Sequence, residues 1–265
     1  MRPARPTDDV TRARTALLLV GLLVFLTGCP GQARLSLAWQ NVSAQDLVAH
    51  VAQRRDKLTS LRARARLRSG FAGMWTRKAL LVERPDRVRI DVLSPFGLAM
   101  ALGAHDSRLW VYPVSEAVVY EGPADAQQLA RFLGAPLSLP DLVNILLGVP
   151  PLRQPSAAPR LEKTDDGRYR LTLPLADGAQ VLGFAPDTLD LRSVEEVRGG
   201  NVVLRVDFDD YEKGFARSVE VSAPLIGASA RVAYDAVEQN PPLDPRLFDP
   251  PNVPKVLPLE AVTSS

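Results

Sequence analysis

The residues that could carry acid–base, nucleophilic or metal chemistry are few and poorly placed for it. His50 and His105 are the only histidines in the chain. Asp106 and Ser107 follow His105, but three consecutive residues in a tight turn do not form the nucleophile, base and orienting-acid geometry of a hydrolase. The simpler interpretation is a solvated turn. Because no Cys or His cluster has metal-ligand spacing and no glycine-rich phosphate loop follows a strand, we expect no enzyme, no metal site and no cofactor.

Cys29 has a clearer chemical context. It is preceded by four arginines and then by an apolar run of eleven residues, 16–26. That run is shorter than the roughly 20 residues needed to span a bilayer, and its length is typical of a secretory signal. The segment Leu26-Thr27-Gly28-Cys29 resembles a bacterial lipobox, in which the thiol receives a diacylglyceryl group. Since Cys29 is the only cysteine, a disulfide within the chain is impossible.

The sequence divides into a lipoprotein signal peptide (1–28), a lipid-anchored tether (29–42), a folded domain (43–238) and a Pro-rich C-terminal tail (239–265). The signal contains four Arg and two Asp, so 32 basic and 30 acidic residues become 28 and 28 in the mature chain. A net charge of zero gives no reason to expect a nucleic-acid partner. The prolines of the tail exclude regular helix and central strand, which predicts a segment extended along the surface or mobile.

Residues 61–68 alternate strictly between apolar residues and arginines, the pattern of a strand with one buried and one wet face. The four arginines form either a basic patch for an anionic partner or, as we favour, a solvated outer face. Two of the four inward residues, Ala63 and Ala65, are too small to fill a close-packed core. This pattern indicates a hollow interior.

A second strand pattern, in residues 86–103, is interrupted by a turn. Val88, Ile90 and Val92 alternate with charged residues before Ser94-Pro95-Phe96-Gly97, a sequence typical of a tight turn. Phe96 is a large apolar residue at the tip of that turn. It either folds back onto the core or projects as an apolar finger that enters a membrane.

Three amphipathic or apolar segments predict helices. The first starts at Ser43, an N-cap with Asp46 as capping-box partner, and runs to about residue 58. The second covers about 124–133. The third starts at Ser138, with Asp141 as the expected capping-box partner, and is apolar almost all round. Such a helix is either buried on more than one side or covers an apolar space.

The remaining segments predict an antiparallel meander before the second helix and another antiparallel set from about residue 159 to 238. Two segments in this arrangement resemble the LolB family of outer-membrane lipoprotein receptors. Residues 88–97 are similar to the family's strand and Asn-Pro-Leu-Gly loop, and residues 135–150 are similar to its lid helix. The resemblance covers about 43–238. It implies a mainly β (α+β) fold, an unclosed antiparallel β-barrel of about 11 strands with a helical lid, as in LolA and LolB.

The resemblance also implies a site. Acyl chains would enter an apolar cavity, and a membrane-inserting loop would comprise Pro95, Phe96, Gly97 and Leu98. The expected lining of the cavity and its lid is Leu61, Ala63, Ala65, Leu67, Val88, Ile90, Val92, Leu129, Phe132, Leu133, Leu139, Leu142, Val143 and Leu146.

The implied function is delivery of acylated lipoproteins into the outer membrane by a lipid-anchored, periplasm-facing monomer that receives cargo from a periplasmic LolA-like carrier. Pro30 after the cysteine resembles outer-membrane sorting signals. Two alternatives stay open at this point. The fold could carry another amphiphile such as a glycolipid, or it could serve as a structural lipoprotein that binds a protein partner.

Overall fold

A computed structural model describes residues 42–69, 75–133 and 136–261. Cys29 and the segments predicted to be a signal peptide and a tether, up to residue 41, lie outside these ranges. The described residues form one sheet of 14 strands. The strands are β1 Ser60–Ser69, β2 Thr76–Glu83, β3 Arg87–Ser94, β4 Gly97–His105, β5 Arg108–Pro113, β6 Val119–Pro123, β7 Arg160–Lys163, β8 Tyr169–Leu175, β9 Gly178–Phe184, β10 Leu191–Arg198, β11 Asn201–Glu212, β12 Phe215–Ala223, β13 Ala228–Gln239 and β14 Val256–Pro258.

The sheet consists of two antiparallel meanders joined where β1 pairs with β13. Its order is β14-β6-β5-β4-β3-β2-β1-β13-β12-β11-β10-β9-β8-β7, so β14 and β7 are the two edges and the sheet does not close on itself. This confirms the predicted unclosed, mainly antiparallel barrel. The described residues contain 14 strands, more than the expected 11 or so. One of the additional strands, β14, comes from the Pro-rich segment and runs parallel to β6.

Three α-helices accompany the sheet in the described residues: α1 Ala44–Lys57, α2 Ala126–Leu133 and α3 Leu139–Leu146. The capping box predicted for α1 is confirmed. Asp46 N donates to Ser43 Oγ at 3.2 Å, and Ser43 N donates to Asp46 Oδ2 at 2.9 Å. Leu47 and Val51 form the buried stripe of this helix.

Strand alternation separates an apolar concave face from a charged convex face. In β1, Leu61, Ala63 and Ala65 are buried, whereas the intervening arginines are exposed. On the convex face, Arg62 Nη1 lies 3.0 Å from Glu238 Oε2 and Arg66 Nε lies 3.1 Å from Asp235 Oδ1. The two acidic residues belong to β13. The arrangement is that of a solvated outer face with surface ion pairs.

The Pro-rich segment packs against the convex face of β3–β5 around Trp110 and then pairs with the edge strand β6, where Leu259 lies against Gly122. Trp110 Nε1 donates to the carbonyl of Phe248 at 2.8 Å, and the side chains of Phe248 and Leu259 are buried. Val119 N donates to the carbonyl of Lys255 at 3.1 Å, next to β14. Residue 238 therefore marks a change in composition, but the compact unit continues through the described part of the tail.

Candidate functional site

Helix α3 lies over the concave face of the sheet. Ser138 caps its N-terminus by accepting a hydrogen bond from Asp141 N at 3.2 Å, and Pro140 suits the first turn. The helix ends before Gly148, whose φ of +69° turns the chain away. Leu139, Leu142, Val143, Ile145 and Leu146 are buried, so the helix is apolar on nearly all sides, as its sequence indicates.

An apolar cavity of about 40 Å³ lies between α3 and the sheet. Strands β1, β2, β3, β12 and β13 form its floor, and α3 with the residue Leu137 forms its cover. The lining residues are Ala65, Leu67, Lys78, Leu80, Ile90, Leu137, Leu142, Ile145, Leu146, Val219, Val221, Ala230 and Val232. A volume of this size holds about three water molecules. The cavity is therefore nearly filled by the side chains of α3.

The structure brings five of the predicted lining residues to the wall of this cavity: Ala65, Leu67, Ile90, Leu142 and Leu146. Six others are buried outside its lining: Leu61, Ala63, Val88, Leu129, Leu139 and Val143. Val92 is half-buried. The side chains of Phe132 and Leu133 lie outside the described part of the structure.

Sequence reasoning missed Lys78, the one charged residue of the lining. It occupies an inward position of β2, in register with Ala65 on β1 and Val92 on β3, and its side chain is only 8% exposed. Desolvation by the apolar surroundings lowers the pKa of Lys78 to about 8. The sequence did contain a signal for this residue. Positions 78, 80 and 82 of β2 all point inward, and a lysine at the first of them breaks the otherwise apolar pattern.

Polar contacts fasten α3 to the barrel at both ends. Arg153 donates to Asp141 at the start of α3, with Nη2 2.7 Å from Oδ2, and its Nε donates to Glu196 Oε1 on β10 at 2.7 Å. At the other end, Tyr234 Oη donates to the carbonyl of Leu146 at 2.8 Å. The capping-box role expected for the Asp141 side chain is thus replaced by a partly buried ion pair, because the loop after α3 places Arg153 beside it.

The turn predicted at Ser94-Pro95-Phe96-Gly97 projects from one end of the sheet. Ser94 Oγ donates to the carbonyl of Gly97 at 3.0 Å, and Gly97 has a φ of +116°, which side chains rarely adopt. Phe96 is 100% exposed, so it does not fold back onto the core. Pro95, Gly97 and Leu98 are exposed as well.

Other loops extend this apolar surface. The pairing of Ala223 with Ala228 and of Leu67 with Thr76 places the β12–β13 turn and Trp75 at the same end of the sheet as Phe96. Seven of the nine strongly exposed large apolar side chains in the described residues lie here, and we call this set the apolar end: Trp75, Leu93, Phe96, Leu98, Val114, Leu225 and Ile226. Sequence analysis identified only the Phe96 turn, because the loops meet only after the strands pair.

The remaining candidates for chemistry do not assemble into a catalytic site. His105 Nδ1 lies 3.0 Å from Asp106 Oδ2 and its Nε2 lies 3.4 Å from Asp249 Oδ1. Both ring nitrogens thus face carboxylates, which leaves none for Ser107. Over residues 42–69, 75–133 and 136–261, no group of three potential ligands could hold a metal ion. Within the same ranges, every helix is too short or too polar to cross a bilayer.

No family model and no curated protein matches the chain. Solved structures do match. A LolA superfamily protein from Nitrosomonas europaea aligns with a TM-score of 0.54 and 16% identity over 79% of this chain and 99% of that one. An outer membrane lipoprotein-sorting protein domain from Vibrio parahaemolyticus gives a TM-score of 0.51 and 12% identity over 78% and 97% of the two chains.

The fold is LolA/LolB-like. A DUF1329 family protein from Desulfovibrio piger has the same architecture, with a TM-score of 0.52 and 17% identity over 78% of this chain and 95% of that one. In this LolA/LolB-like fold, α3 lies over strands β2 and β3 of the sheet. At these identities, 12–17%, the likeness defines the fold alone.

Proposed function

We propose that this protein is a lipid-anchored envelope protein that accepts the acyl chains of lipoproteins beneath α3 and delivers them into the outer membrane. The observation that carries the proposal is the apolar cavity between α3 and the concave face of the sheet. Cys29 provides the anchor, and a periplasmic LolA-like carrier supplies the cargo.

The energetics of acyl transfer explain why such a protein needs no catalytic residues. Moving a methylene from lipid into water costs about 0.8 kcal/mol, so one chain of about 16 carbons costs about 12 kcal/mol. An apolar cavity that replaces the bilayer removes most of this cost without breaking a bond. The cavity wall fits this task because Lys78 is its only charged residue.

Loading requires α3 to move, since about 40 Å³ is far too small for an acyl chain. Leu142, Ile145 and Leu146 fill the space that the chain would take. Replacement of α3 by an acyl chain costs little apolar burial, because one apolar surface takes the place of another over the strands. The helix itself is only eight residues long and is held by a few polar contacts. In this proposal, the arrangement with α3 over the strands is the closed state.

The apolar end supplies the membrane contact in this proposal. Phe96, Leu225 and Ile226 are each more than half exposed and come from two separate turns at the same end of the sheet. Several apolar side chains that enter the interfacial region together hold the barrel against the bilayer during release.

The test is binding of a fluorescent triacylated lipopeptide to the mature protein. Ala65→Phe places an aromatic ring in the cavity and is expected to weaken binding at least about tenfold, because overfilled apolar sites exclude ligand. Ala65→Met is a milder second variant. Ala233→Phe, a half-buried position on the convex face of β13, is the matched control and is expected to bind as the wild type does.

If Ala65→Phe folds and binds the lipopeptide with unchanged affinity, the acyl-binding site is not beneath α3. Native mass spectrometry of gently purified protein separates the remaining alternatives. A co-purifying lipoprotein supports the proposal, a different lipid indicates carriage of another amphiphile, and an empty barrel that binds no acyl ligand indicates a structural lipoprotein.

A further inference from the structure

Lys78 is the most unusual residue of the cavity. Its side chain is 8% exposed and lines a wall otherwise built from apolar residues. Burying an ammonium group without a counter-charge is costly, and such groups are normally paired. A hydrophobic residue of similar length would fit the same position without that cost.

None of the carboxylates in the described residues forms an ion pair or hydrogen bond with Lys78. The neighbouring stretches 70–74 and 134–135 contain no acidic residue in their sequence. Asp91, on the adjacent strand, belongs to the convex face and pairs with Arg89 at 2.9 Å. Within residues 42–69, 75–133 and 136–261, no carboxylate therefore compensates the charge of Lys78, although the group is largely protonated at pH 7.

The position of Lys78 fits an anionic headgroup. Lys78 is the third residue of β2. It therefore lies near the start of the strand, directly after Trp75, at the end of the sheet where the apolar end is located. Leu80 and Ile90 continue the cavity wall deeper into the barrel. An amphiphile that enters from the apolar end would leave its head beside Lys78 and its chain under α3.

We infer that Lys78 binds the anionic head of an amphiphile, a carboxylate or phosphate attached directly to an acyl or alkyl chain. The inference rests on the acyl-binding cavity of the proposed function and not on its lipoprotein cargo. Because the lipid part of a triacylated lipoprotein is uncharged, an ammonium at this place favours the alternative of another amphiphile, here an acidic single-chain lipid or a phospholipid. Charge-assisted hydrogen bonds from the ammonium to the head would then replace lost hydration.

The experiment compares three ligands with 16-carbon chains, palmitate, hexadecyl phosphate and hexadecanol, at pH 7 on the mature wild-type protein. We expect the two anions to bind at least about tenfold more tightly than the alcohol. In Lys78→Met the three affinities should converge, while hexadecanol binds as well as or better than it does to the wild type. A stronger effect with palmitate assigns a fatty-acid head, and a stronger effect with the phosphate assigns a phospholipid head.

Arg64→Met is the matched control, because Arg64 lies next to Ala65 on β1 but points to the convex face, and it should keep the preference for anions. Equal binding of anions and alcohol by the wild type would overturn the inference and leave the acyl cavity standing. Failure of all three ligands to bind would overturn the inference, whereas the proposed function fails only if the triacylated lipopeptide does not bind either.

Discussion

Arg153 holds Asp141 through two hydrogen bonds, Nη1 to Oδ1 at 3.1 Å and Nη2 to Oδ2 at 2.7 Å, and so ties the first turn of α3 to the loop that follows this helix. The same guanidinium contacts Glu196 on β10, and Gln180 fixes the loop by accepting from Arg153 N at 3.0 Å. Asp141, Gln180 and Glu196 are all buried. This network is a latch between the cover of the cavity and the second meander.

Replacing the latch arginine should loosen α3. Arg153→Met leaves the buried carboxylate of Asp141 without a partner and that of Glu196 with only the longer contact to Arg198 at 3.8 Å, and it is expected to lower the free energy of unfolding by about 3–5 kcal/mol. Hydrogen exchange of the α3 amides should increase more than that of the β11 and β12 amides. Adding Asp141→Asn and Glu196→Gln should recover part of the stability, because the unpaired charges are gone.

The control for this variant is Arg62→Met, which removes an exposed ion pair with Glu238 and should cost about 1 kcal/mol or less. If Arg153→Met and Arg62→Met have the same small effect on unfolding and on α3 exchange, the network does not hold the lid.

Phe96→Glu should leave the fold intact and impair delivery. The side chain is fully exposed and makes no core contact, so the free energy of unfolding should change by about 0.5 kcal/mol or less. A charged tip cannot enter the hydrocarbon region cheaply, and vesicle binding and lipopeptide transfer should therefore fall several-fold. Vesicle co-sedimentation and a reconstituted transfer assay measure the two effects.

A second substitution tests whether the whole apolar end is involved. Ile226→Glu, in the β12–β13 turn, should reduce vesicle binding as Phe96→Glu does, and the double variant should bind less than either. Val256→Glu changes an exposed apolar residue of β14 and should bind vesicles as the wild type does. Normal delivery by the double variant would show that this end does not meet the membrane.

Lys78 should make the stability of the protein depend on alkaline pH. The lysine titrates near 10.5 in the unfolded chain and near 8 in the folded one. Between these values the unfolded state binds more protons, so the free energy of unfolding contributed by this group rises as the pH increases from 8 to 10.5. Below pH 8 the cost of burying the charged form is fully present.

Lys78→Met removes that cost. The variant should be more stable than the wild type by on the order of 2 kcal/mol at pH 7, and the difference should shrink as the pH approaches 10. Urea unfolding at a series of pH values measures it. A difference that is independent of pH would mean that Lys78 is solvated in the folded protein.

The C-terminal segment should be required for stability. Deleting 244–265 removes the buried Phe248 and Leu259 and uncovers Trp110, which should cost about 3–6 kcal/mol. Phe248→Ala should cost about 3–5 kcal/mol by itself. Deletion of 262–265 alone is the control and should leave the melting temperature unchanged. If the variant lacking 244–265 has the same melting temperature as the wild type, the segment does not stabilise the sheet.

Local patterns predicted the elements of this fold well. The capping box at Ser43 and Asp46, the N-cap at Ser138 and the alternation of β1 all depend on residues within a few positions of each other, so the backbone conformation follows from neighbours in sequence. The exposed turn at Phe96 was also recognisable, although its two alternative orientations could only be separated in three dimensions.

By itself, the sequence determined the two meanders and an almost wholly apolar helix between them, and it predicts a signal with a lipobox. Only the tertiary structure decided how small the closed cavity is, that the tail covers Trp110, and which distant residues meet. The pairing of β1 with β13 joins residues about 170 positions apart, and this pairing brings Val219 and Val232 to the wall that Ala65 and Lys78 share. Contacts of that kind depend on strand register and packing, which no local pattern specifies, and for that reason Lys78 and the Arg153 latch emerged only from the folded chain.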